Sequence, residues 1–412
     1  MPSHKLSLPL LPTLFAAVAL GVAANANAQM TALHSFGSSA TDGIEPYAGV
    51  TFDEFGNLYG TTIEGGTDGL GAVFELSPQL GGGWSEQVLY SFGGTNGNGF
   101  LSNGVILDSS GNLYGIASFG GSHGYGLVYE LARAANGTWN QHILHNFNNN
   151  GDGRNPFGNL VFDASGNLYG STVGGGTYGG GTVFELERKN GGSWAEKILH
   201  SFNFNGKDGT LPAASLIFDS AGNLYGTASN GGLRSSGAVF ELIHEAAGSW
   251  KEKILYAFHR NTTDGREPSS SLVFDASGNL YSTTREGGVD GFGTVFELIP
   301  QANGGWSESV IHSFDQNGTD GATPLGGLIF DDAGNIYGTT LLGGPYNGGT
   351  VYELTNSSAG WTESILFSLS DSNGQPAFPG AGLVFGADGN LYGTTTGGGI
   401  YSSEGTVFAL TP

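Results

Sequence analysis

Residues 163–186 read DASGNLYGSTVGGGTYGGGTVFEL, in which two strand-like segments flank a run of glycine. The segments NLYGST and TVFEL are rich in residues that suit a pleated surface. Asp163 and Gly166 indicate a tight turn before the first segment, because aspartate caps a turn backbone and glycine accepts a positive φ. The stretch therefore predicts two short antiparallel strands joined by a glycine loop.

The same pattern recurs seven times, at intervals of 55 or 56 residues. Its asparagine recurs as Asn57, Asn112, Asn167, Asn223, Asn279, Asn335 and Asn390. All six tryptophans keep this spacing, and each begins a fourth strand-like segment of its unit. Seven four-stranded units without helical periodicity predict an all-β fold, a seven-bladed β-propeller of antiparallel blades. A linear β-solenoid is the alternative, although its repeats are usually shorter.

The two ends of the repeat array predict how the ring closes. Residues 30–36, MTALHSF, match the fourth strand of the other units, and the last unit stops after its third strand. We therefore expect the N-terminal strand to complete the last blade, since this removes an unpaired sheet edge. Residues 29–412 then form a single domain.

The first 28 residues are typical of an export signal. A basic start at Lys5 precedes an apolar segment and a small-residue cleavage site that ends at Ala28. Cleavage there removes Lys5 and changes the formal charge from −23 to −24. We expect a secreted or periplasmic protein without a membrane span in its mature chain, with an uncleaved anchor as the alternative. The acidic charge argues against nucleic acid as a partner, and the lack of cysteine excludes disulfides.

The repeat, including its W-x-E-x-I-L-H-S-F segment, is similar to the Gloeobacter/Verrucomicrobia-type (GloVer) tandem repeat of exported bacterial proteins. The resemblance covers essentially residues 29–412. It implies an exported repeat protein and carries over no catalytic residue. The D-x-x-G-N-L-Y turn also resembles, over a shorter stretch, NHL-type propellers and streptogramin-lyase-like enzymes.

Most ionisable residues recur at framework positions, and we interpret them as structural because one active site needs only one copy. Asp53 and its counterparts head the D-x-x-G-N turns, whereas Glu75 and Glu86 have counterparts in the third and fourth strands. Four histidines share a position that is Tyr or Phe in other units, which predicts aromatic packing. They are His34, His145, His200 and His312.

Asp-Gly turns followed by proline connect several blades. Their aspartates are Asp42, Asp152, Asp208, Asp264 and Asp320. Oxygen-rich loops of this kind also bind Ca²⁺, but the regular D-x-D-x-D ladder with its bidentate glutamate is missing. A structural turn is therefore the main interpretation and calcium the weaker one; no other cofactor or metal is predicted.

The glycine loops contain the positions that differ between units. Because strands alternate in direction, these loops and the blade-to-blade loops are expected on one face of the ring. Variable residues on a rigid scaffold are typical of binding surfaces. The candidate binding residues are Glu64, Asp68, Phe119, His123, Tyr178, Arg234, Glu286, Asp290, Tyr346 and Tyr401. Neutral drift of exposed loops is the competing explanation.

The predicted function is a secreted binding or scaffolding module for a glycan, a peptide or an envelope protein. The first alternative is a propeller enzyme, a lyase or hydrolase with its site at the central channel. Its only candidates are His123 with Glu64 and Arg234 with Glu286, and no catalytic residue is identified. The second alternative is a structural envelope protein without a ligand.

Overall fold

The computed structural model describes residues 28–412 except 94–98, 247, 260, 262 and 402, and it leaves the side chains of Leu101 and Ser102 undescribed. The predicted export signal therefore lies outside the described residues apart from Ala28. The described chain consists of strands and turns, and seven antiparallel four-stranded sheets form a ring. This confirms the seven-bladed β-propeller. No described segment is a helix of the length and apolarity needed to cross a membrane.

The blades are numbered 1 to 7 along the chain, and the strands of each blade follow one another from the channel outwards. Blade 1 has Thr51–Phe52, Leu58–Thr62, Ala72–Pro78 and Trp84–Ser91; blade 2 has Phe100–Leu107, Leu113–Phe119, Leu127–Arg133 and Trp139–Asn146. Blade 3 has Gly153–Phe162, Leu168–Gly175, Thr182–Arg188 and Trp194–Ser201; blade 4 has Gly209–Pro212 with Ile217–Phe218, then Leu224–Gly231, Ala238–His244 and Trp250–Ala257. Blade 5 has Val273–Phe274, Leu280–Thr284, Thr294–Pro300 and Trp306–Ser313; blade 6 has Ile329–Phe330, Ile336–Thr340, Thr350–Ser357 and Gly360–Ser368. Blade 7 has Val384–Phe385, Leu391–Thr395, Thr406–Thr411 and, from the other end of the chain, Gln29–Ser35.

Short strand pairs extend four blades towards the glycine loops. They are Gly43–Ile44 with Glu64–Gly65, Gly265–Arg266 with Glu286–Gly287, Gly321–Ala322 with Leu342–Gly343, and Pro376–Ala377 with Gly397–Gly398.

The ring closes through the predicted N-terminal strand. Gln29–Ser35 lies antiparallel to Thr406–Thr411, in a register that pairs Gln29 with Thr411 and Ser35 with Thr406. The next residue, Phe36, is fully buried, and its ring centroid lies 5.0 Å from that of Phe74 in blade 1. The closing segment therefore supplies both a strand of blade 7 and a core side chain between blades 7 and 1.

The hydrophobic core lies between neighbouring blades. Tyr169 and Val183 of blade 3, for example, pack with Leu224 and Phe240 of blade 4. Each tryptophan is half-buried at the outer edge of this interface; Trp250 lies 6.4 Å from the ring of Tyr169 in the preceding blade. The apolar faces of the sheets thus hold the ring together blade by blade.

The blade-to-blade loops are fastened to the preceding glycine loop. At six junctions the residue before the proline takes a left-handed φ of 53° to 61°: Glu45, Asn155, Leu211, Glu267, Thr323 and Phe378. Thr323 shows the contact, since its N–H donates to the carbonyl of Phe292 at 2.8 Å. The following Pro324 packs on Gly293, where a Cβ would lie 2.6 Å from the proline Cδ. The carbonyl oxygen of Thr284 would lie even closer, at 2.5 Å, and Gly293 has a φ of 104°, so backbone and proline together require glycine here.

A ring of hydroxyl groups fastens the blades near the channel. In six blades a Thr or Ser of the second strand donates to a carbonyl of the next blade, and blade 2, with Ile116 at that position, uses Ser118 instead. The bonds run from Thr61 to Asn103, Ser118 to Pro156, Ser171 to Ala214, Thr227 to Ser270, Thr283 to Pro324, Thr339 to Ala381, and Thr394 to Ala48. The donor–acceptor distances range from 2.8 to 3.5 Å, and a hydroxyl group links each blade to the next at all seven junctions.

Candidate functional site

The glycine loops and the blade-to-blade loops form one face of the ring, which we call the loop face. Twelve large apolar side chains are exposed in the described part of the chain, and nine of them lie on this face. The nine are Phe119, Tyr125, Tyr178, Phe204, Leu233, Val289, Tyr346, Ile400 and Tyr401, with exposed fractions of 36% to 72%. They are distributed over blades 2 to 7, and exposed apolar side chains on a rigid scaffold are candidates for contact with a partner.

The predicted binding residues all lie on the loop face. Four of them, Phe119, Tyr178, Tyr346 and Tyr401, belong to its exposed apolar set. Sequence variability did not single out the aliphatic members, Leu233, Val289 and Ile400, although each directly follows the last glycine of a Gly-Gly pair in its loop. Comparing that one position across the seven units would have found them.

The charged candidates do not form the pairs that the enzyme alternative requires. Glu286 is bound by Arg266, with Nε and Oε2 3.0 Å apart, and among the described residues Arg234 makes no ion pair. His123 and Glu64 lie in the glycine loops of blades 2 and 1, and no described hydrogen bond or ion pair joins them. Neither pair is therefore arranged for acid–base chemistry in this structure.

A central cavity of about 380 Å³ lies on the ring axis and receives residues from all seven blades. Its lining is made largely of small and apolar side chains such as Ala214, Ser270, Gly327 and Ala381, together with Asn103. Tyr47 carries the only ionisable group among the described residues that line it. Acid–base chemistry needs a positioned titratable group, and Tyr47 is the one candidate for it among the described residues of this lining.

Four junctions between blades bring a histidine, an aspartate and a glutamate together, and sequence reasoning missed this arrangement. Each group has one ligand-type atom per residue within 4.8 Å of the other two. The groups, which we call junction clusters, are His34–Asp42–Glu86, His145–Asp152–Glu196, His200–Asp208–Glu252 and His312–Asp320–Glu363. The histidines do pack edge-on against phenylalanine as predicted; the His312 and Phe314 centroids lie 4.6 Å apart. Their Nε2 atoms, however, face carboxylates.

The cluster at blades 5 and 6 shows the geometry. Nε2 of His312 lies 3.4 Å from Oδ2 of Asp320 and 3.5 Å from Oε1 of Glu363. Oδ2 of Asp320 also accepts the backbone N–H of Asp315 at 3.0 Å. Oε1 of Glu363 is buried and has no hydrogen-bond partner in the described structure. The cluster therefore encloses more acceptor atoms than donors.

The other junctions vary these residues together. At blades 4 and 5 the hydroxyl of Tyr256 replaces the imidazole and donates to Oδ2 of Asp264 at 3.0 Å. At blades 1 and 2 the hydroxyl of Tyr90 donates to Oε1 of Gln141 at 3.0 Å. At blades 6 and 7 the histidine, aspartate and glutamate positions are held by Phe367, Gln375 and Met30. Where phenylalanine replaces the histidine, both carboxylates are therefore absent as well.

Burial and neighbouring charge set the pKa values in the clusters. Burial and then Asp320 raise the pKa of Glu363 to about 7, and burial and then Asp208 raise that of Glu252 to about 9. Burial alone would raise the pKa of Asp320, but bonds from His312 and from backbone N–H groups lower it. Burial would also lower the pKa of His312, and Asp320 and Glu363 raise it. Each glutamate is therefore suited to hold a proton beside an ionised aspartate.

The five aspartates predicted as weak calcium ligands are all buried, with exposed fractions of 3% to 7%. Four lie in junction clusters, where an imidazole nitrogen and two carboxylates suit a transition metal better than calcium. Two contacts favour hydrogen bonding over metal binding. The aspartate Oδ2 already accepts a backbone N–H, and Tyr256 takes the place of histidine as a donor. Calcium binding by these loops stays a prediction.

The opposite face carries the D-x-x-G-N turns, whose aspartates cap the backbone as predicted. Oδ1 of Asp163 accepts the N–H groups of Ser165 and Asn167 at 2.8 Å each. The hydroxyl of Tyr169 donates to Oε1 of Glu185 at 3.0 Å, so both framework acids have partners. Blade 7 has Gly386 and Ala409 at these acid positions, and there Tyr392 donates to Asp388 at 2.8 Å. These residues are structural.

The family model of the Gloeobacter/Verrucomicrobia repeat matches residues 101–329 and 219–412. The chain belongs to this family. The sequence of this Gloeobacter/Verrucomicrobia repeat protein matches no curated protein.

Two solved structures are similar to this repeat protein in fold. One is the extracellular domain of a putative hybrid two-component system from B. thetaiotaomicron, at TM-score 0.55 and 13% identity over 92% of this chain and 39% of that chain. The other is a putative 6-phosphogluconolactonase from Bacteroides uniformis, at TM-score 0.53 and 13% identity over 82% of this chain and 88% of that one. The repeat protein thus spans about two-fifths of the first structure's length, and at this identity the likeness shows the fold alone.

Proposed function

We propose that this repeat protein is a binding module that acts outside the cytoplasm and captures a protein or peptide partner on its loop face. The observation that carries the proposal is the placement of nine of the twelve exposed large apolar side chains on that face. Exposed apolar groups lose water contact when a partner covers them, and tyrosines commonly anchor such interfaces.

The aliphatic members of the set favour a protein partner over a glycan. Leu233, Val289 and Ile400 are 66% to 72% exposed, and aliphatic side chains gain from apolar partners more than from hydroxyl-rich sugars. Action outside the cytoplasm is supported by the export signal predicted at residues 1–28 and by the extracellular setting of one fold neighbour. The enzyme alternative has no comparable support, because the described lining of the central cavity offers only Tyr47 as a titratable group.

The test compares two triple variants in selections from a displayed peptide library and on a glycan array. The loop-face variant is Tyr178→Ala, Tyr346→Ala and Tyr401→Ala. The control removes exposed apolar groups elsewhere, through Phe55→Ala, Leu80→Ala and Ile143→Ala. We expect the wild type and the control to bind the same peptides, and the loop-face variant to bind them at least about tenfold more weakly.

Thermal unfolding of both variants should match the wild type, since the replaced side chains are exposed. Peptide binding that survives in the loop-face variant and disappears in the control would place the interaction on another surface. Selection of glycans with no selection of peptides would contradict the choice of partner.

A further inference from the structure

The positive charges of the chain are confined to one part of the ring. Beyond Lys5, every lysine and arginine lies between Arg133 and Arg285, where 12 basic residues accompany 13 acidic ones. Residues 29–132 contain 10 acidic residues and residues 286–412 contain 13, and neither range contains a lysine or arginine. The ring closure joins these two ranges in space. Blades 6, 7 and 1 therefore form a continuous cation-free sector.

Five of the basic residues form ion pairs in the described part of the chain, all with acidic residues of blades 3 to 5 or of the loop between blades 4 and 5. Nε of Arg266 lies 3.0 Å from Glu286, and Nζ of Lys253 lies 3.5 Å from Glu241. Lys189 forms an ion pair with Glu187. Screening in salt also limits long-range interactions to about 8–10 Å. No described lysine or arginine forms an ion pair with a carboxylate of blades 6, 7 or 1.

The loop face of the cation-free sector combines carboxylates with aromatic groups. Tyr346, Ile400 and Tyr401 are 68%, 70% and 42% exposed. Asp371 lies in the blade-to-blade loop next to them, and its Oδ1 accepts the hydroxyl of Ser403 at 2.7 Å. The same surface continues into blade 1, where Asp68 is exposed.

Three glutamates link the two blades across the closure. The N–H of Glu45 donates to the carbonyl of Glu404 at 2.9 Å, and Glu64 lies opposite Ile44 in the adjoining strand pair. Burial and then the charges of Glu64 and Glu404 raise the pKa of Glu45. A bound cation would relieve the repulsion among these three carboxylates and would thereby stabilise their charged forms.

We propose that the loop face of blades 6, 7 and 1 docks an extended lysine- or arginine-rich peptide segment of a partner protein. The proposal rests on the loop face being the binding surface and adds the chemistry of the partner. Ammonium and guanidinium groups pair with the carboxylates and stack on the tyrosine rings, while the aliphatic stems of these side chains cover Ile400. Phosphate-rich partners such as nucleic acids and anionic membranes are repelled by the same surface.

The test measures binding of a fluorescent peptide of alternating lysine and glycine to the purified protein, with a glutamate–glycine peptide as the negative probe. The sector variant is Asp68→Asn with Asp371→Asn. The matched control is Glu54→Gln with Asp332→Asn, which removes the same charge from exposed turns on the opposite face of blades 1 and 6. We expect the sector variant to weaken binding about tenfold and the control less than about twofold.

Raising the salt concentration from about 0.05 M to about 0.5 M should weaken wild-type binding strongly, since the pairs are exposed. A second variant, Tyr346→Ala with Tyr401→Ala, should bind the lysine peptide more weakly than the wild type at the same salt concentration, although its charge is unchanged. Equal loss in the sector variant and its control would show diffuse attraction and overturn the proposal. Neutral library peptides that require the tyrosines, with no binding of the lysine peptide, would overturn it while leaving the proposed function intact.

Discussion

Stability of the propeller should depend on pH through the four junction clusters and through the junction of Tyr256, Asp264 and Glu308. The glutamates Glu86, Glu308 and Glu363 have pKa values raised to about 7, and Glu196 and Glu252 to about 9, in each case first by burial and then by a neighbouring aspartate. A raised glutamate pKa means that folding takes up a proton. Its contribution is fully present below pH 4.5 and is lost as the pH rises through the folded-state value. The raised pKa of His312 acts in the same direction, above pH 6.5.

The aspartates act in the opposite sense and at lower pH. Asp42, Asp152, Asp208 and Asp320 have lowered pKa values, so their contribution is present above pH 3.8 and is lost as the pH falls through the folded-state value. Both effects together place maximal stability near pH 5. Stability should then decline towards pH 9.

The size of the decline follows from the shifts. A rise from 4.5 to about 7 at Glu363 corresponds to at most about 3 kcal/mol, at about 1.4 kcal/mol per pKa unit. The Glu363 side chain is 14% exposed. Screening by solvent reduces its contribution to the free energy of unfolding to about 1 kcal/mol per junction. Five such junctions give about 5 kcal/mol. At an unfolding entropy of about 2.1 cal/mol/K per residue this corresponds to a Tm difference of roughly 6 °C between pH 5 and pH 9.

The assay is thermal unfolding followed by circular dichroism from pH 5 to pH 9 at constant ionic strength. The key variant is His200→Phe, Asp208→Gln and Glu252→Met, which copies the uncharged junction of Phe367, Gln375 and Met30. It should fold and lose about one fifth of the pH dependence, whereas Glu54→Gln, at an exposed turn, should retain all of it. A wild-type Tm that is constant or rises from pH 5 to pH 9 would refute the assignment of protonated glutamates.

Three further predictions concern the scaffold. Deletion of residues 29–36 should lower the Tm strongly and cause aggregation, because blade 7 loses its outer strand and Phe36 leaves the core. Calorimetry would measure the Tm and light scattering the aggregation. An unchanged Tm without aggregation would show that the closure is dispensable. Gly293→Ala should destabilise the protein by about 3 kcal/mol in urea unfolding, since its Cβ would meet the Thr284 carbonyl oxygen at 2.5 Å and Pro324 at 2.6 Å. Gly291→Ala, in open space at a similar φ, should cost only about 1 kcal/mol, and equal costs would contradict the packing argument. A chelator should leave the Tm unchanged, because the Oδ2 atoms of the junction aspartates already accept backbone N–H groups. A drop in Tm of several degrees that Ca²⁺ or Zn²⁺ reverses would show that the junctions hold metal.

The fold followed from the sequence because its determinants are local and repeat seven times. Turn residues such as Asp163 and Gly166 act within a few positions, and the match of residues 30–36 to other fourth strands located the closure. The junction clusters were missed because His34 and Glu86 are separated by a whole unit and meet only when neighbouring blades pack. The sequence nevertheless contained a signal. At the junction of blades 6 and 7 the histidine position holds Phe367 and the glutamate position holds Met30, and such paired changes indicate contact.

The register that pairs Gln29 with Thr411 has a mechanical consequence. A force that pulls these two residues apart acts across a single pair of strands and loads their hydrogen bonds one after another, each worth about 0.5–1.5 kcal/mol. A force applied through only one of them leaves the pair unloaded. The propeller should therefore withstand attachment at either residue. When it is stretched between the two, the strand pair should separate bond by bond, and blade 7 should unfold while the other six blades stay folded.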